Sequence, residues 1–293
     1  MGAGAGGFNR ASDPEEFARF CGDLEERGFD SVWLPEILSR PVLDPLVGLA
    51  VAAGVTTTLK LGTTMVLPGR NPVRLAKELA TLDRLSQGRL LVTFVPGINQ
   101  PEELAALGVS ASDRGPMMDE TMPLLRRLWS ESSVEHLGRY HSYASVSVDP
   151  RPLQDPLEMW VGGIAPSALR RTGELSDGWL PAFCTPDEAA TGRAVVEDHA
   201  AAAGRQISAE HFGVSLGYSG GDLSPELQKL VAARRPGVDP RSLIPSGMDG
   251  LRATVEAFLA VGFSKFVVRP NEPPESWPAE LDRLATALLP LQT

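Results

Sequence analysis

Cysteine is nearly absent: Cys21 and Cys184 are the two in 293 residues. They stand far apart and neither belongs to a CxxC pair, which excludes a disulfide framework and a thiolate zinc site and leaves two free thiols as the expectation. Histidine is almost as scarce, with four residues and no metal-ligand spacing among them. His199 falls in a helix pattern and His136 and His141 in a hairpin, so none becomes a catalytic candidate. No apolar run approaches the ~18 residues of a membrane span, and no basic segment followed by an apolar stretch opens the chain. A cytoplasmic protein with no membrane partner is expected. Lysine and arginine are nowhere clustered; the net charge of −10 is spread over helix faces, so a nucleic-acid partner is excluded.

What the chain does have is alternation. Residues 59–67 and 90–95 are short continuous apolar runs flanking one amphipathic helix pattern, a β-α-β unit whose strands must be parallel. The same rhythm runs from a helix over 13–27, with Ser12 or Asp13 as N-cap, and a strand over 31–34 ending at Pro35 and Glu36, to a last strand over 265–269 and a helix over 276–289. Two interruptions stand out: a hairpin within 133–151 that turns at Leu137 and Gly138, and an irregular insertion over 219–246 with one helix. Seven strands and eight helix slots result, one strand short of a closed barrel of eight β-α units, whose typical ~250 residues suit this length. The first strand is the deficient one, because Met1 is followed by only Gly and Ala through residue 7. A missing or degenerate first strand is therefore expected, its open seam covered by a partner or by the glycine arm; a start assigned too far downstream would leave the same gap. A single domain over residues 1–293 is expected.

Several stretches carry a family resemblance. They are Gly28-Phe29-Asp30-Ser31-Val32-Trp33, Leu61-Gly62-Thr63-Thr64, Asn71-Pro72-Val73 with Leu75-Ala76-Lys77-Glu78, and Leu82-Asp83-Arg84-Leu85-Ser86-Gln87-Gly88-Arg89. Pro150-Arg151-Pro152-Leu153-Gln154, Trp160-Val161-Gly162-Gly163 and Asp177-Gly178-Trp179-Leu180-Pro181 continue the series. In this order, over nearly the whole chain, they resemble the luciferase-like flavin and deazaflavin oxidoreductases. Leu67-Pro68-Gly69-Arg70-Asn71-Pro72 and Gly262-Phe263-Ser264-Lys265-Phe266-Val267 are most similar to an actinobacterial-type subgroup using the deazaflavin coenzyme F420. The resemblance implies a luciferase-like (β/α)8 TIM barrel with insertions, a tricyclic ring bound at the C-terminal ends of the strands, and a homodimer.

It also implies site residues. A non-prolyl cis peptide at Thr64-Met65 would bulge against the ring, at a cost of ~2.5–4 kcal/mol; an ordinary strand end is the alternative. Gly162-Gly163-Ile164-Ala165 joins a strand to a helix N-terminus, where free N–H groups and the helix dipole can take a phosphate oxygen. The matching family loop binds the cofactor tail, whereas the residues alone read equally as a tight turn. Glu36 follows a strand directly, so its carboxylate is expected at the barrel mouth, near the ring, as the one candidate acid. Family members often have an aspartate there followed by a histidine, the acid of the sugar-phosphate dehydrogenase subgroup; here Ile37 follows. Gly97-Ile98-Asn99 stands where that subgroup has a catalytic glutamate, so Ile98 supplies no base, while Gly97 and Asn99 are candidates for cofactor contact. Both departures argue against sugar-phosphate oxidation. Phe183 and Cys184 follow a strand and either line the substrate end or pack in the core. Arg269 ends the last strand and suits either an anionic ligand or an ion pair. Trp33, Trp160 and Trp179 read as core.

Hydride transfer asks for a flat, partly apolar, water-poor cleft and little acid-base work, which fits this set. The expected function is hydride transfer between F420 and a small organic substrate. FMN-dependent monooxygenation is the alternative, and a non-catalytic barrel relative the third reading, motivated by the deficient first strand and the absent His/Glu pair.

Overall fold

The computed structural model describes residues 1–4 and 13–292; the later part of the glycine arm and the alternative cap Ser12 lie outside the described residues. The elements are β1 (Gly2–Gly4), α1 (Pro14–Glu26), β2 (Ser31–Pro35), α2 (Pro45–Val55), β3 (Lys60–Val66), α3 (Pro72–Leu85), β4 (Leu90–Val95), α4 (Pro101–Leu107) and α5 (Ala111–Ser130). There follow β5 (Val134–Leu137), β6 (Ser142–Val146), β7 (Met159–Val161), α6 (Pro166–Leu175), β8 (Gly178–Trp179), α7 (Pro186–Ala202) and β9 (Gly213–Tyr218). The last are α8 (Pro225–Arg234), α9 (Pro240–Leu243), α10 (Gly247–Ala260), β10 (Lys265–Pro270) and α11 (Trp277–Leu288).

Many helices begin with the same device: a polar cap followed by proline. Asp13, Asp44, Asn71, Thr185 and Ser224 each accept a first-turn backbone N–H, and proline at the next position has no N–H left to satisfy. These helices therefore start where the sequence places them, and α3 spans the residues expected of it.

Eight parallel strands form one sheet in the order β8-β7-β4-β3-β2-β1-β10-β9. Trp179 N–H donates to His211 O and Ser215 N–H to Pro181 O, both at 2.9 Å, which links β8 to β9 and closes the ring. The chain is a (β/α)8 barrel. β5 and β6 form a separate antiparallel ribbon whose turn lies at 138–141, where Gly138 N–H reaches His141 O at 2.9 Å, slightly beyond the expected Leu137-Gly138. The insertion after β9 holds two helices, α8 and α9, rather than one.

The missing-strand alternative is corrected. β1 is present, with Gly2 beside Ser31, Ala3 beside Val32 and Gly4 beside Trp33 on one flank, and Gly2 beside Val267 on the other. It is degenerate in side chains, and its neighbours fill the space it leaves. A Cβ at Gly2 would lie 3.0 Å from the Trp33 indole, and one at Gly62 on the opposite flank only 2.3 Å from it. Trp33 thus spreads across both flanking strands, which is why the flanks carry glycine. Trp160 covers Gly178 in the same way, with a hypothetical Cβ at 2.3 Å. Together with Leu180 and Val267 the two tryptophans form an apolar plug inside the barrel, separate from the main core between sheet and helices. Trp179 belongs to that main core and is fully buried. No helix among the described residues is long and apolar enough to cross a membrane.

Candidate active site

Above the plug, alternation along each strand fixes which side chains face the mouth. The paired residues Pro35, Thr64 and Thr93 share the inward side with Trp33, as do Val66, Val95 and Gly162 one step higher. Gly97, at φ +83°, bends the chain after β4 so closely that a Cβ would sit 3.2 Å from Val66 Cγ1, and a Cβ at Gly162 would sit 2.8 Å from Val95 Cγ1. Thr64, Gly97 and Gly162 therefore lie on one arc of the C-terminal rim.

The Thr64–Met65 peptide is trans: the cis peptides among the described residues are Asp149–Pro150 and Asp155–Pro156. This corrects the expected bulge. β3 stays in register with β4 through Val66, and Met65 turns its side chain outward into the core, fully buried and away from the mouth. Met65 can meet a ligand only through its backbone.

Glu36 sits at the expected place but is not a free carboxylate. Its N–H donates to Thr64 O at 2.8 Å, its Oε2 accepts Val66 N–H at 2.8 Å, and its Oε1 pairs with Arg70, whose Nε bonds Val66 O at 3.0 Å. The side chain is 6% exposed. Burial raises its pKa above the ordinary carboxylate value, against the opposing pull of the Arg70 charge and the Val66 N–H. Arg70 belongs to the motif over residues 67–72, and its position four residues beyond the end of β3 is the sequence signal for this pairing.

Asn99 is held by a residue the sequence did not reveal. Arg114 of α5 is 9% exposed and reaches back under the loop after β4, its Nη1 on Gly97 O at 3.2 Å and its Nη2 on Asn99 Oδ1 at 3.3 Å. Ser39 N–H and hydroxyl both donate to Glu103 at 2.8 Å, tying the loop after β2 to α4. The two loops thereby form one roof edge.

On the far side of the arc, Gly162 N–H is spent on Phe94 O at 3.0 Å. The next groups are not spent. Gly163 has φ +101° and a Cβ there would meet Ala168 Cβ at 3.4 Å, Ala165 caps α6 without a side-chain bond, and the N–H groups of Gly163, Ile164, Ala165 and Ser167 have no acceptor among the described residues. Such a run at a helix start is a donor set for a phosphate oxygen. Among the buried polar atoms without a partner in the described residues are Thr93 Oγ1 and Asn271 Nδ2, with Glu103 Oε2 and Arg114 Nε at the roof edge.

Phe183 and Cys184 separate. Cys184 is 3% exposed within the main core, and burial pushes its thiol up to about 12, so of its two expected roles it takes packing. Phe183 stands at φ +55°, its carbonyl held by Arg235 and its ring covered by the Arg234 guanidinium at 4.2 Å. Arg269 points inward from β10, and among the described residues its side chain bonds Asn271 Oδ1 at 3.4 Å. Of the alternatives for Arg269, no ion pair forms among the described residues. The histidines of the hairpin are engaged there, His136 with Glu120 at 3.1 Å and His141 with Thr121 at 3.1 Å. Both cysteines are free, and no cluster of potential metal ligands occurs among the described residues.

Comparison with known proteins places this architecture. Residues 2–282 match the family model described as luciferase-like monooxygenase. An F420-dependent glucose-6-phosphate dehydrogenase of Kineococcus radiotolerans is 31% identical over 57% of this chain and 52% of its own. The chain thus matches about half to three-fifths of the length of such curated relatives. Among solved structures, the monooxygenase RslO1 of Streptomyces bottropensis superposes with a TM-score of 0.76 at 26% identity, covering 95% of this chain and 93% of that one. The coenzyme F420-dependent tetrahydromethanopterin reductase of Methanopyrus kandleri reaches 0.80 at 18% identity over 100% and 99%, a likeness of fold alone.

Proposed function

Because the chain belongs to the luciferase-like monooxygenase family, we propose that it is an F420-dependent oxidoreductase that passes a hydride between the deazaflavin and a small organic substrate. The observation that carries the reading is the run of unspent N–H groups from Gly163 to Ser167, beside a rim where Thr64, Gly97 and Asn99 meet over an apolar plug. A tricyclic redox ring with a phosphate-bearing tail fits that donor set: the helix start takes the tail and the rim takes the ring.

When bound, the deazaflavin supplies two-electron hydride chemistry with little reactivity toward oxygen. The protein contributes position and dryness. Trp33, Trp160 and Leu180 make the floor apolar, and Arg114 fixes the loop carrying Gly97 and Asn99. Glu36 is the acid we assign. Its carboxyl is held at one orientation by Arg70 and Val66 N–H, and burial favours its protonated form more than in an exposed glutamate.

FMN in the same slot would instead support oxygenation, and the likeness to the Streptomyces bottropensis monooxygenase favours keeping that outcome in the test. Titration of the purified protein with F420 and with FMN, followed by quenching of cofactor fluorescence, is expected to give saturable F420 binding. Tight FMN binding without F420 binding rejects the assignment, and binding of neither points to the non-catalytic reading.

We also infer a homodimer through α2. Val47, Val51 and Val55 recur at four-residue spacing and are all exposed, a continuous apolar stripe on a helix whose other face packs on the barrel. Light scattering is expected to report twice the chain mass, falling to one in V47E/V51E. A wild-type monomer at micromolar concentration overturns this.

A further inference from the structure

We propose that the mouth of the barrel carries a subsite for an anionic group of the substrate, a carboxylate or a phosphate, held by Arg269, Arg234 and the Asn271 side-chain amide beside the Phe183 ring. This rests on reading the rim as a redox-cofactor site and specifies the class of molecule that faces the ring.

Three donor groups stand in one sector of the mouth, and no carboxylate among the described residues pairs with either guanidinium. Arg269 enters the barrel from β10 and runs alongside β1, where a Cβ at Gly4 would lie 3.1 Å from its Cβ and 3.5 Å from its Cδ. Only a glycine strand leaves that passage open. At its tip, Nη1 meets Asn271 Oδ1 at 3.4 Å. The amide lies over Gly217, where a Cβ would be 3.0 Å from Nδ2, and Nδ2 is buried without an acceptor among the described residues. Gly217 makes the room, since a Cβ there would lie 2.5 Å from Asn271 Oδ1.

The second guanidinium comes from the insertion. Arg234, at the end of α8, lies over the Phe183 ring at 4.2 Å, and Phe183 follows Ala182, which bridges to Ser215 on β9, the strand whose Gly217 stands beside Arg269. Its neighbour Arg235 pairs with Glu188 and also donates to Phe183 O, so the carboxylate within reach of this helix end is already spent. Neither Arg234 nor Arg269 has a carboxylate partner among the described residues. Two cations and an unspent amide donor at one mouth are unfavourable in the empty protein. An entering anion with two equivalent oxygens relieves all three at once, because a guanidinium offers parallel N–H donors matched to such a group. The Phe183 ring, on a residue whose carbonyl Arg235 holds, would flank the apolar body of the same ligand.

The test is calorimetric titration of the protein with benzoate and with inorganic phosphate, without cofactor and after loading with whichever of F420 or FMN it binds. Saturable binding of at least one anion is expected in both states. R269M and the exposed-site variant R234M should each weaken it at least tenfold, R269K should recover part of it, and cofactor affinity should stay within twofold of wild type. R234M keeps the proposal testable if R269M does not fold. The proposal is overturned if neither anion binds wild type saturably, or if R234M binds as wild type does. It is also overturned if the variants lose cofactor affinity in parallel, since the arginines would then hold the cofactor's own anionic tail. Should neither F420 nor FMN bind while anion binding stays arginine-dependent, the redox reading fails and this subsite stands.

Discussion

Replacing Trp33 by alanine is expected to cost about 4–5 kcal/mol of unfolding free energy, at the upper end of the range for buried aromatic truncation. The size follows from what surrounds the indole. Neighbouring strands usually contribute side chains that relax into a vacated site, but here the flanking positions are Gly2 and Gly62, which have none. The cavity would stay open at the barrel axis, bounded by Trp160, Leu180 and Val267. Urea denaturation of the W33A variant checks this, and a loss below 1 kcal/mol would show that the plug does not hold the ring together. Partial recovery in W33A/G62V would identify the lost volume as the cause.

The second large effect is expected at Arg70. R70M leaves the Glu36 carboxylate, 6% exposed, with Val66 N–H as its remaining donor. Removing one partner of a buried pair costs about 3–5 kcal/mol when the other stays charged, reduced here to ~2–3 because Arg70 is itself 23% exposed. The pH dependence has a definite sign. The Glu36 pKa is raised in the folded protein, so its contribution to stability is fully present below the unfolded value near 4.5 and is lost as pH rises through the folded value. Loss of the Arg70 charge raises the folded value further. The gap between wild type and R70M should therefore widen from pH 5 to pH 8, and R70M/E36Q should be more stable than R70M at pH 8. Equal destabilisation at both pH values would mean that Glu36 does not titrate in this range.

How much of this was legible depends on how local the cause is. Helix starts were readable because cap and proline are adjacent in sequence, as at Asp44-Pro45 and Asn71-Pro72. The glycine turn after β7 was placed correctly, since it is a strand-to-helix junction. β1 was hard to read because its evidence lies elsewhere: the volume it lacks is supplied by Trp33, nearly thirty residues on, and by Arg269 near the other end. The same holds for Arg114, whose reach to Gly97 O and Asn99 is set by a long side chain on a helix that reads as ordinary. The expected cis peptide came from resemblance and not from these residues. Here the β3 ladder runs unbroken to Val66, where Glu36 secures it.

The glycine strand also governs the order in which the ring can assemble. On one flank β1 joins β2, a near neighbour along the chain; on the other it joins β10, almost a full chain length away. Local β-α pairs can zip in succession from their own contacts, but the β1–β10 junction spans the longest loop in the molecule and gains little side-chain burial to offset it. Circular closure is accordingly expected to be the late step of assembly, the one that turns the inner lining of the barrel from an open trough into a floor.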